Sequence, residues 1–311
     1  MTAKSKKKRK PTSALLSRRR QQQSSSSSTP TSSSTAPLPS KLSRTLIRSH
    51  HTTQKRLSQA ILQNDTTAIT ALKSQLSTSG GLEAYQRASV SGQSSKRGGD
   101  SSKILVDWFT DLGIPKPHNG SNPLSSHRLL EIGCLSPTNI VHTYFPRSQR
   151  TLMDLNSLHP DDILKQDFMT FPLPRSVDEG YDIISCSLVL NYVPTPSGRG
   201  DMLRHITSFM EQALERRRKR PVSEDNNWTN TFPAVFLVLP APCVTNSRYL
   251  TEDRLQEIMS SLGYEMLKRK LSPKLVYYLW KFVGGGSSHP KFKKTELLPG
   301  GKRNNFAIVL E

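Results

Sequence analysis

The residues best placed to do chemistry are Glu131-Ile132-Gly133-Cys134 and, further along, Asp154. The apolar run Leu129-Leu130-Glu131-Ile132 breaks at a glycine, and Asp154 closes a second apolar run, Leu152-Met153. A glycine turn lets the backbone approach a ligand closely, and a carboxylate at the end of the next strand accepts hydrogen bonds from the two hydroxyls of a ribose. Gly133 and Asp154 are 21 residues apart, close to the roughly 20 expected for one strand-helix-strand unit. The chain has no G-x-G-x-x-G here, so the turn is not the usual cradle for a pyrophosphate. One glycine suits a nucleoside without phosphates, and S-adenosylmethionine is the commonest such cofactor. An ordinary strand-turn-helix with a capping acid fits the same residues, and this segment alone leaves both readings open.

The elements that must position these residues follow an alternating pattern. Buried strands are predicted over residues 128–132, 151–155, 162–166, 181–188 and 234–239, with a helix over about 200–219 before the last of them. Thr251 caps a helix with Glu252 and Asp253 in its first turn and Gly263 at its end. Residues 264–271, 275–282 and 305–310 read as β-type runs, the middle one compatible with helix as well, and 284–301 as a mobile basic loop. Strands alternating with helices, followed by strands without crossover helices, predict an α/β fold with a mixed sheet and an antiparallel edge. Ligands in such sheets bind beyond the carboxyl ends of the strands, where Gly133, Asp154, Asp167 and Ser187 fall.

Upstream, residues 42–76 predict two helices broken at Asn64-Asp65-Thr66, residues 82–90 a short helix, and 92–100 a polar loop. Ile104, Leu105, Trp108, Phe109 and Leu112 mark an amphipathic helix over 101–112. Residues 21–40, rich in Ser, Thr, Gln and Pro, cannot bury enough apolar surface to offset their ordering entropy. The expected organisation is a disordered basic, Ser-rich tail (1–40), a helical segment (41–113) and the α/β domain (114–311).

The 311 residues carry a formal net charge of +20. Nine Lys and Arg residues and no acid lie within residues 1–20, and the remainder is basic in its own right. Such a chain is drawn to polyanions, nucleic acid first among them, and Lys6-Lys7-Lys8-Arg9-Lys10-Pro11 reads as a nuclear import signal. No apolar run is long enough to span a bilayer, and nothing amphipathic accompanies the charge. Cys134, Cys186 and Cys243 show neither metal-ligand nor disulfide spacing and read as buried small hydrophobes in a reducing compartment.

LLEIGCLSPTN (129–139) with LMDLNS (152–157) resembles the opening of a class I S-adenosylmethionine-dependent methyltransferase. AYQRASVSGQ (84–93), SLVLNYVPTPSGRGDML (187–203) and LPAPCVTNSRYL (239–250) extend the resemblance to the fungal 25S rRNA adenine-N1-methyltransferase family, over about residues 42–310. The resemblance implies a Rossmann-like fold with a mixed seven-stranded sheet and S-adenosylmethionine as methyl donor. It also implies a large-subunit rRNA or pre-ribosomal substrate, a nucleolar location, and a monomer without metal or membrane. A relative in animals is a sensor of S-adenosylmethionine, so a non-catalytic sensor regulating a protein complex is the alternative. A methyltransferase acting on protein is a third reading, disfavoured by the charge.

Carried onto this chain, the resemblance gives Gly133 and Asp154 the cofactor, with Glu131 orienting the glycine loop and Asp167 and Phe168 flanking the adenine. Ser187 opens the acceptor-side loop, in which Asn191 and Tyr192 would present the target base. That loop lacks the Asn/Asp-Pro-Pro-aromatic motif of enzymes that methylate exocyclic amines, which fits a ring nitrogen. Asn191 reads equally as a helix cap and Tyr192 as a core aromatic. Asp167 reads equally as a turn cap. Tyr85, Gln86, Ser89 and Gln93 either close over the cofactor or pin the helical segment, and Arg199, Arg248 and 216–220 are candidate phosphate contacts.

Overall fold

Along β5 (Ala234–Pro240), Val235, Leu237 and Leu239 enter one apolar cluster while Ala234, Phe236 and Val238 enter another. Period-two alternation of apolar residues on both faces requires cover on both faces, and so places this strand in the middle of a sheet. A computed structural model describes residues 40–78, 84, 88, 99–118, 121–157, 159–219, 227–285 and 290–311. Residues 38–311 form one compact unit.

The sheet has seven strands in the order β3-β2-β1-β4-β5-β7-β6. β1 (Leu129–Ile132), β2 (Arg150–Asp154), β3 (Leu164–Lys165), β4 (Ile183–Ser187) and β5 pair in parallel. β7 (Leu275–Phe282) runs antiparallel to both β5 and β6 (Tyr264–Leu271). The parallel half follows the doubly wound order, with β1 and β4 flanking the point where the chain reverses direction across the sheet. This is the expected α/β architecture with its antiparallel edge, and 275–282 is strand rather than helix. The edge strand β6 carries Lys268, Arg269 and Lys270, charges that discourage pairing with another chain.

Two helices, α1 (Ser40–Leu62) and α2 (Thr66–Thr78), meet at the predicted break, and Asp65 caps α2 by accepting from the Ala68 N–H. α3 (Ser102–Asp111) covers one face with Leu105, Trp108 and Phe109. The other face is covered by α4 (Pro196–Lys219), through Leu203, Ile206, Phe209 and Met210, together with α6 (Glu252–Ser261). The short α5 (Pro242–Thr245) follows β5. The three cysteines are buried and free.

Three expectations are corrected. The β1–β2 crossover is two 3-10 turns, Ile140–Tyr144 and Arg147–Gln149, instead of an α-helix. Pro146 is the reason: it lacks an N–H and holds Phe145 extended, at φ −122° and ψ 128°. Residues 305–310 form no sheet strand. They lie as a strap on the first turns of α4, where the Val309 N–H donates to Pro196 C=O and a Cβ on Gly200 would stand 1.9 Å from the Val309 oxygen. The described part of the 284–301 loop is held down, with the Leu297 and Leu298 N–H groups on Arg248 C=O and Phe292 bridging Leu310. The tail, most of 82–90 and most of 92–100 lie outside the described residues.

Arg216, a candidate phosphate contact, is buried instead at the amino end of the sheet. It donates to Asp182 Oδ1 at 2.6 Å and to the carbonyls of Val177 and Gly180, while Asp182 Oδ2 accepts from the Arg128 N–H. Breaking a buried pair from one side strands the other charge, at a cost of about 3–5 kcal/mol. Arg216→Ala is therefore expected to lower the urea unfolding free energy by about that amount. Arg218→Ala, two residues on and exposed, is expected to leave the midpoint unchanged.

Candidate active site at the carboxyl ends of the strands

The turn after β1 folds directly onto the end of β2. The Gly133 and Cys134 N–H groups both donate to Met153 C=O, at 2.8 and 2.9 Å, which brings Gly133 beside Asp154. Gly133 has a φ of +73°, a left-handed conformation that costs glycine nothing. A Cβ there would lie 2.3 Å from Val189 Cγ2, so the turn also packs against the loop that follows β4. Asp154 is half-buried, and one oxygen accepts from the Asn156 N–H at 2.8 Å. Burial pushes its carboxyl above the ordinary range against the pull of that single bond. Such a carboxylate is short of donors, and the vicinal hydroxyls of a ribose would supply two.

Glu131 is engaged within the loop that follows β1. Its carboxylate accepts from Asn139 Nδ2 at 2.7 Å and meets His142 Nε2 at 2.5 Å. His142 Nδ1 lies 2.9 Å from Pro137 C=O, an acceptor only, so both ring nitrogens donate when the imidazole is charged. Burial lowers the imidazole pKa, but the hydrogen bond and charge of Glu131, helped by Pro137, outweigh it and hold the value above 6.5. Glu131 thus holds the loop's shape, with both oxygens committed within it. Glu131, Cys134 and His142 offer ligand atoms within 4.8 Å of one another, and among the described residues Glu131 and His142 are already paired with each other.

The loop after β4 completes the mouth. Leu188 has a φ of +58°, a conformation uncommon for a branched side chain and of the kind that clusters at functional sites. Its N–H donates to Val238 C=O, and Ser187 Oγ lies 2.8 Å from Ser101 Oγ, tying the strand end to the start of α3. Asn191 Oδ1 is buried without a hydrogen-bond partner, and Tyr192 beside it is half-buried. Asp100, which the sequence reading placed only at the end of a polar loop, is the hub of this side. It accepts from Ser102 N–H at 2.8 Å and from Ile140 N–H at 2.6 Å, fastening α3 to the turn after β1.

Gly133, Asp154 and the 187–192 loop therefore converge. Asp167 is exposed at the end of β3 and caps the turn after it, accepting from the Met169 N–H. Phe168 is 3% exposed, packed on His205 and Phe209 with centroids 4.8 and 5.2 Å away, so only its backbone is left to face a ligand. Arg217 donates to Phe232 C=O and Asn230, and Arg248 to Gly300 C=O and Asn305 Oδ1. These two arginines brace the protein itself, as Arg216 does. Tyr85, Gln86, Ser89, Gln93 and Arg220 lie outside the described residues.

A raised imidazole pKa contributes stability that is complete below 6.5 and is lost as pH rises through the folded-state value. The stability advantage of the wild type over His142→Gln, measured by urea unfolding, is expected to shrink as the pH is raised above 6.5. A constant advantage would show that the imidazolium–carboxylate pair does not hold the loop.

Residues 70–308 match the family described as Bmt2, 25S rRNA (adenine(2142)-N(1))-methyltransferase. The 25S rRNA adenine-N(1) methyltransferase of Schizosaccharomyces pombe is 38% identical over 267 residues, 85% of this chain and 89% of the relative. The 25S rRNA (adenine(2142)-N(1))-methyltransferase of Saccharomyces cerevisiae is 34% identical over 240 residues, 77% of this chain and 63% of that longer relative. Among solved structures, an rRNA methylase from Escherichia coli aligns at 10% identity over 76% of this chain and 91% of that one. Its TM-score of 0.33 is too low to bear on the argument. On the family match and the two fungal relatives, the chain belongs to the Bmt2 family of 25S rRNA adenine-N1-methyltransferases.

Proposed function

We propose that this protein transfers a methyl group from S-adenosylmethionine to N1 of an adenine in 25S rRNA. The observation that carries the reading is the convergence of Gly133 and Asp154 with a loop whose Asn191 Oδ1 is buried and unpaired. S-adenosylmethionine, when bound, supplies an electrophilic sulfonium methyl. Asp154 would accept the two ribose hydroxyls, and the Gly133 turn would leave room for the nucleoside to lie along the strand ends. N1 of adenine carries an available lone pair, so the site needs no general base. The residues act by alignment and by favouring the positive charge that develops on the base.

Asn191 suits that second task. Methylation at N1 makes the ring cationic and its exocyclic amine a stronger donor. An acceptor such as Asn191 Oδ1 would then bind the transition state more tightly than the free base. Tyr192 would stack on a base turned out of its helix. The basic first 20 residues are read as the address that brings the protein to the nucleus and its nucleolus, where the rRNA is assembled. The sensor alternative leaves the charge of +20 and the unpaired Asn191 acceptor without a use.

Two variants test the assignments. Asp154→Asn relieves the cost of a desolvated carboxylate, so the unliganded protein is expected to unfold at or slightly above the wild-type temperature. S-adenosylmethionine binding by calorimetry is expected to weaken about 10- to 100-fold, the worth of hydrogen bonds to a charged acceptor. Unchanged affinity would place the ribose elsewhere. Asn191→Ala is expected to lower kcat for methyl transfer to 25S rRNA about 10- to 100-fold while leaving cofactor affinity unchanged. A wild-type kcat would make Asn191 a structural residue only.

A further inference from the structure

Two to four residues beyond Asn191-Tyr192, the chain lines a small cavity of about 180 Å³. Pro194, Thr195 and Pro196 form one wall, Lys55 and Gln59 of α1 another, and Lys294 and Asn305 of the C-terminal segment a third, with Arg199 of α4 completing it. None of the lining residues is acidic. Three cations around so small a space repel one another, and nothing in the lining offsets them.

Arg199 sharpens the point. Its side chain is on a residue only 8% exposed, lies over the Phe306 ring with 4.3 Å from Cζ to the centroid, and donates through one terminal nitrogen to Ala307 C=O at 2.7 Å. Its Nε is buried without a hydrogen-bond partner. An unpaired buried guanidinium nitrogen is costly, and an oxyanion in the cavity that Arg199 lines would offset the charge of the group. Burial lowers the Arg199 pKa to about 10, which leaves it charged at neutral pH. The cavity also sits at the start of α4, where the Thr195 side chain caps the Gly198 N–H at 3.0 Å and the helix dipole favours negative charge.

We propose that this cavity binds a backbone phosphate of the RNA strand next to the target adenosine. The inference rests on the RNA-methyltransferase reading and adds to it a grip on the strand beside the loop that takes the base. Turning a base out of its helix requires its flanking backbone to be held, and a phosphate bound two to four residues from Asn191-Tyr192 would fix the register of the strand at the site.

The test uses the full-length protein and a 25S rRNA fragment containing the target adenosine. Lys55→Gln and Lys294→Gln change exposed side chains and are expected to fold normally. Each is expected to weaken RNA binding roughly three- to tenfold at physiological salt and to reduce the slope of log K against log salt by about one. Lys291→Gln and Lys302→Gln, exposed and outside the cavity, are the controls and are expected to change affinity less than about twofold. A methylphosphonate at one linkage beside the target should weaken the wild type and have no further effect on the Lys55→Gln Lys294→Gln double variant. Pocket variants indistinguishable from the controls would overturn the proposal. So would inorganic phosphate binding at Lys55 and Lys294 with no change in RNA affinity, which would mark a free-phosphate site. S-adenosylmethionine affinity and methyl transfer by the wild type are measured in parallel. Loss of transfer with the RNA effects intact would reject the enzyme reading and leave the phosphate grip standing.

Discussion

The site depends on the contact between Gly133 and Val189. β1 is followed by a residue at φ +73° whose missing side chain is the space that Val189 occupies, 2.3 Å from where a Cβ would stand. That contact couples the two loops flanking the reversal point of the sheet: the one proposed to meet the cofactor and the one proposed to meet the base. Any larger residue at 133 must displace the acceptor loop or abandon the left-handed turn, and with it the pair of hydrogen bonds to Met153 that sets Asp154 in place. On the proposed assignment, binding and catalysis are coupled through a single close approach of backbone to side chain.

Around that contact the protein spends polar residues on rigidity. Asp100 fastens α3 to the turn after β1, Glu131 and His142 brace the loop from within, and Ser101 meets Ser187 at the end of β4. The C-terminal strap adds a further clamp, with Arg199 holding Ala307 and Gly200 leaving room for Val309. The result is a braced mouth at which two acceptors are left short of donors: the desolvated Asp154 carboxylate and the unpaired Asn191 oxygen. Unsatisfied acceptors at the mouth of a braced site are where a ligand gains most.

Much of this was legible in the residues. Apolar runs of four to eight residues, a glycine after Ile132 and an acid after Met153 were enough to place the parallel strands and to bring Gly133 and Asp154 to one end of the sheet. What escaped reading has physical causes. Pro146 turned an expected helix into 3-10 turns, and 305–310 satisfied its β-type pattern by packing on α4 instead of pairing in the sheet. The arginines at 216 and 217 sit in a basic run yet face inward, because their carbonyl and carboxylate partners come from segments about 15 to 39 residues away. Leu188 gave no signal at all, since leucine has no preference for a positive φ and only tertiary packing puts it there. Asp100 is a single acid whose two partners lie 2 and 40 residues on, a relation no local pattern contains.

The charge distribution gives the frame its direction. Basic groups that brace the protein lie at the amino end of the sheet and along the C-terminal loop, whereas Lys55, Arg199 and Lys294 surround the cavity beside the acceptor loop. The measurement that tests the account most directly is mass spectrometry of nucleosides from 25S rRNA in cells with and without this gene. The account predicts loss of one N1-methyladenosine, restored by the wild-type chain and not by Gly133→Val. An unchanged N1-methyladenosine content in cells lacking the gene would contradict it.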